Sequence, residues 1–259
     1  MKDFVAIADC STQELHELLD ASGSLKAFYK SGKRDLCLTG KTLVMLFEKP
    51  SLRTRISFQV AMTDLGGYTI YVKPEDIGGI GKREPVKDIA RVMSRYVQGI
   101  MARTFEHQTV LDLAKYATVP VINALTDWSH PCQAMADCLT IREHFGRLEG
   151  IQIAFIGDGN NVARSLAYAA GRLNMKLVVA SPQGYELDDE TIRKANSFTA
   201  NCTRQVHDPF EAVRDADVIY TDTWVSMGQE SEKEKRVREF KGYAVDGKLI
   251  EAAPKHVKI

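Results

Sequence analysis

Runs of β-branched and aliphatic residues alternate along the chain with segments whose apolar positions recur every three to four residues, the pattern of parallel strands joined by crossover helices. In the first half, strands are predicted over 42–47, 68–72, 99–102 and 119–124, and helices over 12–30, 51–64, 85–96 and 109–117. A helical segment over 130–145 ends at Gly146, whose permissive backbone suits a helix C-cap. A second strand-and-helix series starts directly after it, with strands over 151–156, 176–180, 203–207 and 218–221 and helices over 161–173, 188–197, 209–215 and 232–240. The fold class is therefore α/β, with two doubly wound parallel-sheet domains at 1–146 and 147–259. The densest charge run, 230–239, reads as a solvated helix face. After a short helix over 248–253, Val257-Lys258-Ile259 begins a further strand, so the fold is expected to stop early.

Composition narrows the function more than the fold. The 34 Lys plus Arg balance 34 Asp plus Glu, which leaves no basic footprint for nucleic acid or an anionic membrane surface. The five cysteines are odd in number and include no Cys-x-x-Cys pair, so neither a disulfide framework nor a metal site is read from them. They read as reduced thiols of a cytoplasmic protein. No segment approaches a membrane span or a secretory leader, and 259 residues allow a sizeable buried core. A small-molecule function is the expectation.

Five stretches carry candidate chemistry, each at a strand exit or helix start. Lys49-Pro50-Ser51-Leu52-Arg53-Thr54-Arg55 falls at a strand-to-helix turn, where free backbone N–H groups, two hydroxyls and the fork of Arg53 or Arg55 favour a phosphate. Arg103 closes a strand and can converge on the same anion. His130-Pro131-Cys132-Gln133 sets an imidazole and an amide at a helix start, able to polarise a carbonyl and hold an NH₂ group. Cys132 reads as a core thiol, not a nucleophile. Gly157-Asp158-Gly159-Asn160-Asn161 invites a dinucleotide reading, but the third small residue and the ribose-binding acid are replaced by Val162 and Ala180-Ser181. The turn suits an amino-acid backbone instead. In Asp222-Thr223-Trp224-Val225-Ser226-Met227-Gly228, a carboxylate precedes a hydroxyl by four residues, which suits a substrate ammonium, with Met227 as an apolar wall.

Taken in this order, Ser-x-Arg-Thr-Arg, His-Pro-x-Gln, Gly-Asp-Gly-Asn-Asn and Asp-x-x-x-Ser-Met-Gly make the chain resemble the aspartate/ornithine carbamoyltransferase family, from near the N-terminus to Ile259. The Ser-Met-Gly element resembles the ornithine branch. The resemblance implies a carbamoyl-phosphate domain, an amino-acid domain, an active-site cleft between them, a homotrimer and no metal or organic cofactor. It implies that Ser51, Leu52, Arg53 and Thr54 bind phosphate, and that Arg103 is shared between phosphate and the carbamoyl oxygen. His130 then meets that oxygen, Gln133 meets the carbamoyl nitrogen, and Asn161, Asp222, Ser226 and Met227 hold ornithine. The implied reaction makes citrulline, in arginine synthesis or breakdown. Putrescine or N-acetylornithine as acceptor, or carbamoyl-phosphate binding without turnover, are the alternatives. Two departures stand out. The family's later His-Cys-Leu-Pro element, its arginine and its final helix have no counterpart before Ile259, and Gly79 in the loop 75–84 replaces a Gln or His that reaches a neighbouring subunit.

Overall fold

The computed structural model of the chain describes residues 1–225 and 230–259. These pack as two units, Met1–Met135 and Ala136–Ile259. Unit 1 opens with helix α1 (Thr12–Lys30), started by Ser11 and Glu14, whose side chains and backbones cap each other reciprocally. Then follow β1 (Thr42–Phe47), α2 (Leu52–Asp64), β2 (Tyr68–Val72), α3 (Val86–Tyr96), β3 (Gly99–Arg103), α4 (His107–Tyr116), β4 (Val121–Leu125) and α5 (Pro131–Phe145), the last crossing the division between the units. The strands form one parallel sheet in the order β2-β1-β3-β4.

The two-residue period of a strand explains how this sheet is covered on both faces. Val44 and Leu46 of β1, with Ile100 and Ala102 of β3, point toward α3 and α4, against Ile89, Ala90, Val110 and Leu113. The intervening Leu43, Met45, Phe47 and Met101 point the other way and pack against Met62 of α2. Because β2 follows β1 on one side and β3 lies on the other, the sheet's winding reverses between β1 and β3. In open α/β sheets, that reversal marks the ligand-binding crevice at the carboxyl ends of the strands.

Unit 2 repeats the plan with β5 (Gln152–Ile156), α6 (Asn161–Arg172), β6 (Lys176–Ala180), α7 (Asp189–Phe198), β7 (Thr203–Val206), α8 (Pro209–Val213), β8 (Val218–Thr221), α9 (Lys233–Glu239) and α10 (Gly247–Glu251). Its parallel sheet has the order β7-β6-β5-β8, so its winding reverses between β5 and β8. Ala154, Ile156, Val178 and Ile219 pack on Ala212, Val213 and Leu249. On the other side, α6 is almost wholly buried and runs close to α7: a Cβ added at Gly171 would lie 2.5 Å from the Ala195 carbonyl oxygen, so only glycine fits. The strand expected at the chain end is a single parallel bridge of Lys258 to Val218 on the β8 edge, made by Ile219 N–H to Lys258 O (2.8 Å) and Lys258 N–H to Asp217 O (2.9 Å).

The predicted helix and strand boundaries agree with the structure to within two residues, and one of the two-residue shifts has a cause outside local sequence. Helix α4 starts at His107 rather than at residue 109, because the His107 N–H is capped by the Asp127 carboxylate at 2.9 Å, twenty residues away. The charge run 230–239 is corrected in one place. Its other described side chains in α9 are exposed, but Arg236 is buried, with only 6% of its surface open.

Candidate functional site

In unit 1 the side chains gather where the winding reverses. Ser51 is the N-cap of α2: its hydroxyl accepts from Thr54 N–H at 3.3 Å and lies 3.0 Å from Thr54 Oγ1. This leaves the helix's first N–H groups and its positive dipole end directed at an anion. Arg103 ends β3, opposite Phe47 of β1, and its guanidinium donates to Thr54 Oγ1 at 3.4 Å. Its Nε is buried without a hydrogen-bond partner among the described residues, and burial lowers the guanidinium's pKa from its ordinary value. An unsatisfied buried donor on a cation is costly unless a ligand completes it. Glu48 fixes this strand end from both sides. Its N–H donates to the Arg103 carbonyl at 2.8 Å, and its carboxylate accepts from Phe105 N–H at 3.0 Å.

The two arginines of the first motif divide. Arg55 stacks its guanidinium on Tyr71 at 4.0 Å and donates to Gln59 at 3.3 Å, whereas Arg53 is exposed, with no ion pair or hydrogen bond among the described residues. Leu52 is 73% exposed, so its backbone N–H, not its side chain, is the group available to a phosphate.

His130 and Gln133 arrive from β4. Thr126 Oγ1 accepts from the N–H groups of Trp128 (3.3 Å) and Ser129 (3.0 Å), and Thr126 N–H donates to Ser129 O at 2.9 Å, closing a tight turn before His130. Buried Asn123 ties the same turn down through Ser129 O and Val5 O. Burial, and secondarily the Arg103 guanidinium, pushes the His130 imidazole down to about 4. It is therefore neutral at pH 7, the form in which an imidazole can hydrogen-bond without carrying charge. Burial pushes the Cys132 thiol up to about 12, and the thiol donates to the Asn123 carbonyl at 3.3 Å. That environment suits a packed thiol and not a thiolate nucleophile.

In unit 2 the reversal between β5 and β8 brings an acid and an amide together. Asn160 caps α6 by accepting from Val162 N–H (2.9 Å) and Ala163 N–H (3.2 Å). Its amide nitrogen donates to the Asp222 carboxylate at 3.1 Å. Asp222 is partly buried at the exit of β8 and also borders a cavity of about 660 Å³ with Trp224, Val225 and Tyr243. The amide next to Asp222 thus belongs to Asn160, while Asn161 is the first residue of α6. Ser226 and Met227 lie outside the described residues.

Two charged residues here were not expected from sequence. Asp158 is ion-paired to Arg236 at 2.7 Å, and Arg236 also donates to Glu232 at 3.0 Å and to the Trp224 carbonyl at 3.2 Å. Burial raises the Asp158 pKa against the counteracting pull of Arg236. The available signal was spacing: Arg236 lies four residues after Glu232 and four before the buried Phe240. The turn before α6 is equally constrained. A Cβ at Gly159 would lie 2.3 Å from Leu187 N, and Gly159 N–H donates to Tyr185 O at 2.7 Å. Among the described residues, no three His, Cys, Asp or Glu side chains group as metal ligands do, and no helix is long and apolar enough to cross a membrane.

The chain belongs to the aspartate/ornithine carbamoyltransferase family: residues 2–143 match that family's carbamoyl-P binding domain, and residues 149–259 match its Asp/Orn binding domain. Among similar proteins, the ornithine carbamoyltransferase of Thermococcus kodakarensis is 49% identical over 255 residues, covering 97% of this chain and 81% of the relative. The anabolic ornithine carbamoyltransferase of Pyrococcus furiosus is 48% identical over the same length. A solved structure of ornithine carbamoyltransferase from Pyrococcus furiosus superposes with a TM-score of 0.95 at 47% identity, covering 99% of this chain and 82% of that one.

Proposed function

We propose that the chain transfers the carbamoyl group of carbamoyl phosphate to the δ-amine of L-ornithine, giving L-citrulline and phosphate. The observation that carries the reading is Arg103, a half-buried cation whose buried Nε has no hydrogen-bond partner among the described residues, beside the hydroxyl of Thr54 at the winding reversal of unit 1. Ser51, the Leu52 N–H, Arg53 and Thr54 hold the phosphate oxygens. Arg103 bridges phosphate and carbamoyl oxygen, neutral His130 hydrogen-bonds that oxygen, and Gln133 takes the carbamoyl NH₂.

The neutral amine forms a C–N bond to the carbamoyl carbon. Negative charge builds on the carbamoyl oxygen, the C–O bond to phosphate breaks, and the attacking nitrogen loses a proton. Preorganised donors around the growing charge are the largest catalytic contribution available without a cofactor. A free alkyl ammonium titrates at roughly 10.4, so the site must select the deprotonated amine. Asn161, Asp222, Ser226 and Met227 hold the amino acid, with Asp222 orienting its nitrogen.

The anabolic relative favours a role in arginine biosynthesis, and the reduced-thiol composition favours the cytoplasm. A homo-oligomer such as a trimer is in keeping with the exposed apolar side chains of Ile56 and Val60, one turn apart on α2, and of Tyr68 and Ile70 on one face of the edge strand β2, each about half exposed or more, since exposed apolar surface suits an interface. The test is citrulline formation from carbamoyl phosphate with ornithine, putrescine or N-acetylornithine as acceptor. Ornithine is expected to be the substrate, and Asp222→Asn is expected to weaken ornithine on the order of 10- to 100-fold while sparing carbamoyl phosphate. A preference for another acceptor, or equal losses for both substrates in the variant, overturns the assignment.

A further inference from the structure

Arg236 is the buried charge of unit 2 that the proposed chemistry leaves unused. Its helix, α9, is otherwise exposed, yet its guanidinium joins three separate segments. It pairs with Asp158 in the turn after β5 (2.7 Å), donates to the Trp224 carbonyl after β8 (3.2 Å), and lies over the Tyr185 ring from the loop after β6 (4.9 Å). Phe240 closes the group, with ring centroids 4.8 Å from Tyr185 and 6.0 Å from Trp224.

The placement of these contacts matters. Asp158 is two residues before Asn160, and Trp224 is two residues after Asp222, while Asn160 and Asp222 are themselves hydrogen-bonded. One guanidinium therefore clamps the outer ends of both arms that meet in this acid–amide pair. It also neutralises Asp158, which would otherwise stand as a second unpaired carboxylate close to Asp222 and compete for a substrate ammonium. Arg suits this role better than Lys, because one guanidinium nitrogen donates to both Asp158 and the Trp224 carbonyl while Nε is left to hold Glu232, which fixes the planar group in place.

We infer that Arg236 is a positioning residue of the amino-acid site: by tying Asp158 to the Trp224 carbonyl it sets the distance and the charge of the Asn160–Asp222 pair without touching substrate. The inference rests on the ornithine reading above. The experiment compares Arg236→Gln, Arg236→Lys and Asp158→Asn by steady-state kinetics on the full chain. Misplacement of a substrate-holding group typically costs on the order of 10- to 100-fold. Arg236→Gln should raise the ornithine KM by that factor, with a smaller change in kcat and an unchanged carbamoyl-phosphate KM. Arg236→Lys should recover part of the loss. Asp158→Asn should resemble Arg236→Gln, and the double variant should be no worse than either alone, since both remove one linkage. A purely structural role would lower kcat and thermal stability with KM intact, and that result overturns the inference. If the unmodified chain forms no citrulline, the ornithine reading fails by itself. The clamp is then read from Trp224 emission in a Trp128→Phe background, where Arg236→Gln should shift it to the red and an unmoved spectrum overturns the inference.

Discussion

The two units each hold a four-stranded parallel sheet with a winding reversal and helices on both faces, in different strand orders, yet they present opposite chemistry at that reversal. In unit 1, the Nε of half-buried Arg103 has no hydrogen-bond partner, and exposed Arg53 no ion pair, among the described residues. In unit 2, the carboxylates are already answered from within: Asp222 by Asn160, Asp158 by Arg236. The fold supplies the crevice, and the side chains at the strand exits supply its sign. Unit 1 holds a charge that a dianionic ligand completes, at a cost to its own stability. In unit 2 the two carboxylates at the reversal are satisfied internally, so a ligand there would exchange hydrogen bonds that already exist.

The largest effect that probes this contrast is expected from Arg103→Met. Removing a donor aimed at developing charge costs on the order of 10²- to 10³-fold in turnover, so citrulline formation should fall at least that far. Because the same change removes a half-buried cation whose buried Nε has no partner among the described residues, the melting temperature should hold or rise. A marked fall in melting temperature would show that unit 1 is as internally satisfied as unit 2, and the comparison would break.

A smaller effect concerns protons. The neutral His130 ring, pushed down to about 4, sits below the roughly 6.5 of a free imidazole, so on acidification the unfolded chain takes up this proton first. The stability tied to the neutral ring is therefore complete above about pH 6.5 and is lost as pH falls toward 4. His130→Gln should flatten the decline of melting temperature across that window. An unaltered slope would place the ring in a solvated environment.

Smallest in consequence, though sharp as a test, is the behaviour of the thiols. At pH 8 a thiol titrating at about 12 is ionised to roughly one part in ten thousand. Iodoacetamide followed by mass spectrometry should therefore label exposed Cys37 and leave Cys132 unmodified. Equal labelling would reopen a nucleophilic role beside His130.

How much of this was legible in the sequence depends on the range of the interaction. Strands such as Thr42–Phe47 and Lys176–Ala180 were readable because a parallel strand covered on both faces is almost continuously apolar, and the partly exposed edge strand Tyr68–Val72 because its run is aromatic and β-branched. Ser51, Arg103, His130 and Asp222 were readable because ligand chemistry collects at strand exits. The burial of Arg236 was not, because a helix with exposed neighbours on either side gives no local sign that one arginine has a carboxylate 78 residues away. The cap of α4 by Asp127 escaped for the same reason. The choice of Asn160 over Asn161 beside Asp222 turns on which side chain the helix start directs backward, a matter of cap geometry that two adjacent asparagines do not reveal.

The glycines at either end of α6 carry one more consequence. At Gly159 and Gly171 there is room for a hydrogen atom and nothing larger, against Leu187 at one end and Ala195 at the other. Backbone packed this closely just before its start and near its end leaves α6 little room to shift without moving its neighbours, which makes it a post in mechanical terms. Whatever accommodation an arriving amino acid demands falls to the strand exits around that post, and Asn160, fixed to its tip, supplies the fixed reference against which the Asp222 side of the site is aligned.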